Sequence, residues 1–84
     1  MAEILIDVRE LAPPAPLEKI LSALDTVGPG NHLKVLHRRE PCMLYPMLER
    51  KGFAYRLLKR NEHLYEITIW RAGEEPQVKG ESDS

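Results

Sequence analysis

The stretch "FAYRLLKRNEHLYEITIWR", Phe53 to Arg71, decides how this 84-residue chain folds. Phe53, Tyr55 and Leu57 recur at every second position, and so do Tyr65, Ile67 and Ile69. A repeat of two is the signature of a strand with one buried face. The polar "NEH" (Asn61 to His63) separates the two runs, so together they read as a β-hairpin. A hairpin needs something packed on its apolar face, and the residues before it must supply that cover.

Just upstream, "EPCMLYPMLERKG" changes the period. Leu44, Met47, Leu48 and Lys51 return every three or four positions, which is one face of a short helix. Starting that helix near Met43 leaves Pro46 in or near the first turn, where the missing N–H is tolerated, and Gly52 is a natural stop. Before it, "HLKVLHR" alternates again, with Leu33 and Val35 facing one way and Lys34 and Leu36 the other. "VGPGN" (Val27 to Asn31) is a turn. Leu17, Ile20, Leu21, Leu24 and Val27 form a second helical face. Pro16 fits its first turn, and Glu18 sits where the helix dipole favours a negative charge. Ile4, Ile6 and Val8 alternate with Glu3, Leu5, Asp7 and Arg9, which predicts the first strand.

The order is β-α-β-α-β-β. Right-handed crossovers place both helices on one face of the sheet. The expected fold is an α/β (α+β) two-layer sandwich, a four-stranded mixed sheet with two helices on one face. Its core takes Ile4, Ile6, Val8, Leu33, Val35, Phe53, Tyr55, Leu57, Tyr65, Ile67 and Ile69. The opposite face would carry Leu5, Lys34, Leu36, Arg56, Leu58, Leu64, Glu66, Thr68 and Trp70, with nothing in the chain to cover it. Residues 1–72 are expected to form one domain. Residues 73–84 hold Glu74, Glu75, Glu81 and Asp83 against Lys79 and show no periodicity, so they read as a disordered acidic tail.

The bulk properties narrow the function. The charge of −1 and the mildly basic body point away from nucleic acid, whose binders carry strongly basic domains. No apolar run approaches the ~20 residues of a membrane span. "MAEILIDVRE" lacks the layout of a signal peptide, and the one cysteine, Cys42, suits a reducing compartment; a cytoplasmic protein is expected. No serine nucleophile with a base, phosphate loop or paired-carboxylate motif is present, so an enzyme is not expected.

"DVRELAPPAP" before the first helix and "HRREP" after the second strand, taken with the element order, resemble the TusA/SirA-like fold over roughly residues 3–71. Sulfur-carrier members of that fold bear a Cys-Pro-x-Pro motif at the first helix start, with a leucine two positions earlier. The matching stretch here is Leu11-Ala12-Pro13-Pro14-Ala15-Pro16. Pro14 and Pro16 match the motif prolines, and Pro13 stands in place of the cysteine. The chain is still more similar to an uncharacterised family of TusA-like domains without that cysteine. The shared features are the "P-x-P" start, "REP" (Arg39 to Pro41) and "LYPxLExxGF" (Leu44 to Phe53). The resemblance implies the fold and brings no established activity. A cysteine at a helix start would gain thiolate character. Pro13 has neither thiol nor N–H, so sulfur transfer through that position is not expected.

Three constellations remain. His37 ends a strand at a place where α/β sheets often build sites, and Arg9, Arg38, Arg39, Glu40 and Tyr45 are expected around it. Two arginines, a histidine and the start of the second helix could hold a small anion; the bland alternative is a solvated charged rim. Leu5, Leu36, Leu58 and Trp70 on the open sheet face are candidates for an interaction surface, since monomers rarely expose large apolar patches. Cys42, near the second helix start, is a candidate reactive thiol. No metal site is expected: His32, His37 and His63 match no zinc spacing, and His32 and His37 would point to opposite faces of one strand. No cofactor is expected.

The first reading is therefore a non-catalytic accessory or interaction module with a protein partner or weak self-association. The alternatives are a small-ligand, metal or redox-linked binding domain using the Arg9, His37 and Arg39 end, and sulfur handling through Cys42.

Overall fold

The computed structural model describes residues 2–74. The elements are β1 (Ala2–Asp7), α1 (Ala15–Ala23), β2 (Asn31–His37), α2 (Leu44–Arg50), β3 (Phe53–Asn61) and β4 (Leu64–Arg71). A 3₁₀ turn, Leu24–Thr26, extends α1. This is the expected α+β fold with a four-stranded mixed sheet and two helices. The strand order is β1-β2-β4-β3, with β1 and β2 parallel and the β2–β4 and β4–β3 pairs antiparallel. The putting of β4 between β2 and β3 makes the hairpin the centre-to-edge half of the sheet. The tail expected at 73–84 lies outside the described residues from position 75 onward.

Both helices serve one core. Ile20 and Leu24 from the first crossover, and Leu44 and Leu48 from α2, are fully or almost fully buried with Val8, Leu33, Val35, Ile67 and Ile69. Ile4, Ile6, Phe53, Tyr55, Leu57 and Tyr65 pack against that cluster while staying partly accessible. All but Tyr65, near the start of the central strand β4, lie on the edge strands β1 and β3.

Proline and glycine set the helix boundaries. Helix α1 begins after Pro14, with Pro16 buried in its first turn, and the Pro13–Pro14 peptide is cis. Helix α2 has Met43 as its N-cap residue, so Pro46 is the third helical residue and forfeits no intrahelical hydrogen bond. Gly52 follows with φ +86°, a left-handed conformation that glycine adopts at no steric cost, and its N–H donates to the Glu49 carbonyl.

The crossover from α1 into β2 is pinned by side chains. Asn31 accepts from the Gly28 N–H at 2.6 Å and donates to the Thr26 carbonyl at 3.1 Å. From the far end of the sheet, Arg71 Nε donates to the Val27 carbonyl at 3.1 Å. In the hairpin, β3 runs further than expected, to Asn61, with a register shift between Lys59 and Asn61; Asn61 Oδ1 accepts from the His63 N–H at 2.8 Å and closes the turn.

The open sheet face departs from expectation. Trp70 is only 7% exposed. Its cross-strand partner is Ala54, whose small side chain leaves room beside the indole, and the Arg56 guanidinium lies 5.4 Å from the ring centroid. A tryptophan flanked in this way is covered by its neighbours and does not offer its ring to solvent. Leu36 and Leu64 are half-buried, whereas Leu5 (59%) and Leu58 (39%) are exposed. Leu5 is on β1 and Leu58 on β3, three strand spacings or about 14 Å apart. Between them runs a chain of charges. Lys34 Nζ lies 3.4 Å from Glu3 and 3.9 Å from Glu66, and Arg60 Nε lies 3.1 Å from Glu66. The exposed leucines therefore do not merge into one patch.

Candidate functional site

The two helix starts face each other across a cleft of about 390 Å³. One wall is the α1 start: Pro13, Pro14, Pro16, Leu17 and Ile20. The other is the turn from β2 into α2: His37, Arg39, Glu40, Pro41, Cys42, Met43 and Leu44. The sequence explains why the walls are apolar and fixed. Three prolines restrict φ on one side and a fourth on the other, and none of them offers a backbone N–H. Ile20 and Leu44 close the floor as fully buried core residues, and Met43, at 74% exposed, stands at the mouth.

Two polar residues on this wall are organised. His37 Nδ1 accepts the backbone N–H of Arg39 at 3.1 Å. Burial, reinforced by the Arg39 charge, pushes the imidazole below its ordinary value, so it is neutral at pH 7. A neutral imidazole that accepts at Nδ1 carries its proton on Nε2, which is then a donor. Arg39 is exposed, and its guanidinium has no ion-pair partner among the described residues.

The remaining expected members of the cluster are placed elsewhere. Arg9 is drawn back onto its own turn: its Nε and Nη2 donate to Asp7 at 2.9 and 2.7 Å, and its N–H donates to the same carboxylate at 3.0 Å. That expectation is corrected, because a carboxylate two residues away meets the guanidinium at lower entropic cost than a distant site. Arg38 is exposed and does not line the cleft. Tyr45 stacks on Tyr55 and its hydroxyl lies 3.4 Å from Glu40 Oε2. Burial, with Glu40 adding to it, holds the Tyr45 phenol well above its ordinary value. Cys42 is exposed on the cleft wall. Among the described residues, no three His, Cys, Asp or Glu side chains are grouped to hold a metal ion.

A family model described as an uncharacterized conserved protein (DUF2249) matches residues 5–71. The chain belongs to that family. The match runs from Leu5 in β1 to Arg71 at the end of β4, so every residue of the cleft lies inside the family's domain. No curated protein and no solved structure matches the chain. Among the described residues, no helix is long and apolar enough to cross a membrane.

Sequence reasoning singled out His37, Arg39, Glu40 and Cys42 but not the apolar half of the cleft. Pro13, Pro14 and Pro16 were readable as a rigid helix start, and Leu17, Ile20 and Leu44 as core. What turns them into a wall is the tertiary placement of α1 beside the β2–α2 turn. The signal that pointed there was the presence of two proline-containing helix starts in a two-layer fold.

Proposed function

We propose that this domain is a non-catalytic accessory module that binds a small ligand in the cleft between its two helix starts. The observation that carries this reading is the cleft: about 390 Å³, with proline, leucine, isoleucine and methionine walls and a histidine, an arginine, a glutamate and a cysteine at one side. Small-ligand sites span roughly 300–1,000 Å³, mostly apolar, with a few placed polar groups. The scaffold is of the TusA/SirA-like sulfur-carrier type, supported by the element order and by Pro14 and Pro16 at the α1 start. With Pro13 in the cysteine position, that start is a binding wall and holds no nucleophile. Titrating the ¹⁵N- and methyl-labelled protein with neutral apolar fragments such as cyclohexanol tests the reading. Shifts should concentrate on Leu17, Ile20 and Leu44. Shifts centred on Leu5, Leu36 and Leu58, or none at all, would sink it.

A protein partner on the open sheet face is a second reading, favoured by the exposure of Leu5 and Leu58. Leu5→Glu should then abolish co-purification of the partner with the fold intact. Retention of every partner by the variant removes this reading.

A further inference from the structure

We propose that the ligand of the cleft is a small amphiphile with an apolar body and a single anionic head, the head resting on His37 and Arg39. This rests on the reading of the cleft as a small-ligand site and adds the chemical class. The apolar body follows from the walls. Pro13, Pro14, Pro16, Leu17, Ile20 and Leu44 supply no side-chain hydrogen bond, so a polar group among them would be desolvated without a partner. The head follows from what the other wall leaves uncommitted. The imidazole of His37 spends Nδ1 on the Arg39 N–H, which leaves Nε2–H as a donor with no partner among the described residues. That same hydrogen bond fixes residue 39 beside the ring, and the Arg39 guanidinium is unpaired among the described residues. Of the other cations near this end of the sheet, Arg9 is paired with Asp7 and Arg60 with Glu66, while Arg38 and Lys59 do not line the cleft. Glu40 also lines the cleft and keeps its negative charge, since the Tyr45 hydroxyl at 3.4 Å is a neutral partner; the head is therefore assigned to the His37 and Arg39 side, and an ammonium ligand tests the opposite choice. Among the described residues of this wall, the Arg39 guanidinium and the His37 Nε2–H are the uncommitted donors, and together they are complementary to a carboxylate.

The test compares octanoate, octan-1-ol and octylammonium at pH 7 by methyl and imidazole NMR on the full chain. Octanoate should shift Leu17, Ile20, Leu44 and the His37 Nε2–H, and bind about tenfold tighter than octanol, the scale of one charged hydrogen bond. Arg39→Gln, checked for an unchanged amide spectrum, should bring octanoate to the level of octanol. Octanol or octylammonium binding as tightly as octanoate overturns the anionic head and leaves the cleft as an apolar site. Shifts confined to the sheet face overturn both. A peptide ending in a leucine with a free carboxylate, binding more than tenfold tighter than octanoate, overturns the small amphiphile in favour of a protein chain end.

Discussion

Tyr45 of α2 and Tyr55 of β3 stack face to face, with ring centroids 4.4 Å apart and planes inclined by 3°. The stack ties the short second helix to the edge strand at a place where the buried core has already thinned to partly accessible side chains. Such aromatic pairs contribute about 0.5–1.5 kcal/mol beyond the area they bury. Tyr45→Leu should therefore lower the free energy of unfolding by about 1 kcal/mol. The hydroxyl contributes far less, because its 3.4 Å approach to Glu40 is a long hydrogen bond near the surface. Tyr45→Phe should stay within about 0.5 kcal/mol of the parent, as surface substitutions do. Denaturant titrations of the two variants separate the terms, and equal losses would show that the stack contributes nothing.

Asp7 gives the fold an acid-sensitive corner. Hydrogen bonds from the Arg9 side chain, then from its N–H, hold the carboxyl down at about 2. A depressed carboxyl stabilises the folded state above its unfolded value, ~3.9, and loses that contribution as pH falls toward its folded value. The window thus runs from about pH 4 to about pH 2. Melting temperatures measured across it should fall more steeply for the parent than for Asp7→Asn. Both side chains are exposed, so the effect is small and shrinks in high salt. Parallel curves would mean that the clasp is energetically silent.

These two examples mark what was legible in the sequence. The alternation in Phe53 to Arg71 located β3 and β4, and the spacing of Leu17 to Val27 located α1 though not its change to a 3₁₀ turn at Leu24, since period is a local property. Starting α2 near Met43 followed from Pro46 alone, because a proline tolerates only the first turn. Trp70 and Arg9 were misplaced for one shared reason. Each lies on the expected strand or strand end, but its exposure or its partner is chosen by a neighbour: Ala54 and Arg56 for the indole, Asp7 for the guanidinium. Long side chains select among several partners within reach, and strand periodicity carries no information on that choice. The cleft was illegible for a larger reason, since its walls are 17 or more residues apart in the chain.

The far end of the sheet supplies another test. Arg71 reaches over the Phe53 ring at 5.8 Å and donates to the Val27 carbonyl at 3.1 Å. Val27 is buried, and its carbonyl lies in the crossover loop with no helical partner. Arg71→Met keeps the stem and removes the donor, which should cost about 1.5 kcal/mol, at the lower end for a charged hydrogen bond. Hydrogen exchange should quicken at the Gly28 and Asn31 amides, whose own bonds belong to the same turn. Unchanged exchange there would show that Asn31 holds the loop alone.

Cys42 supplies a direct footprint of the cleft. The thiol is exposed and lies on the wall beside Met43, so a ligand seated there must lie over it. Alkylation by iodoacetamide should then slow in proportion to occupancy, by about tenfold when octanoate is present at roughly ten times its dissociation constant. The same octanoate should leave the rate unchanged in denaturant, where no cleft exists. Pro41→Ala offers a control, since it loosens the turn without removing a polar contact. It should weaken octanoate and octanol together, because a less rigid wall costs ordering entropy whatever the head group. If Cys42 reacts equally fast with and without octanoate while the NMR shifts saturate, the ligand sits against the α1 wall alone. The β2–α2 turn would then be a bystander, and His37 and Arg39 would lose their assigned role with it.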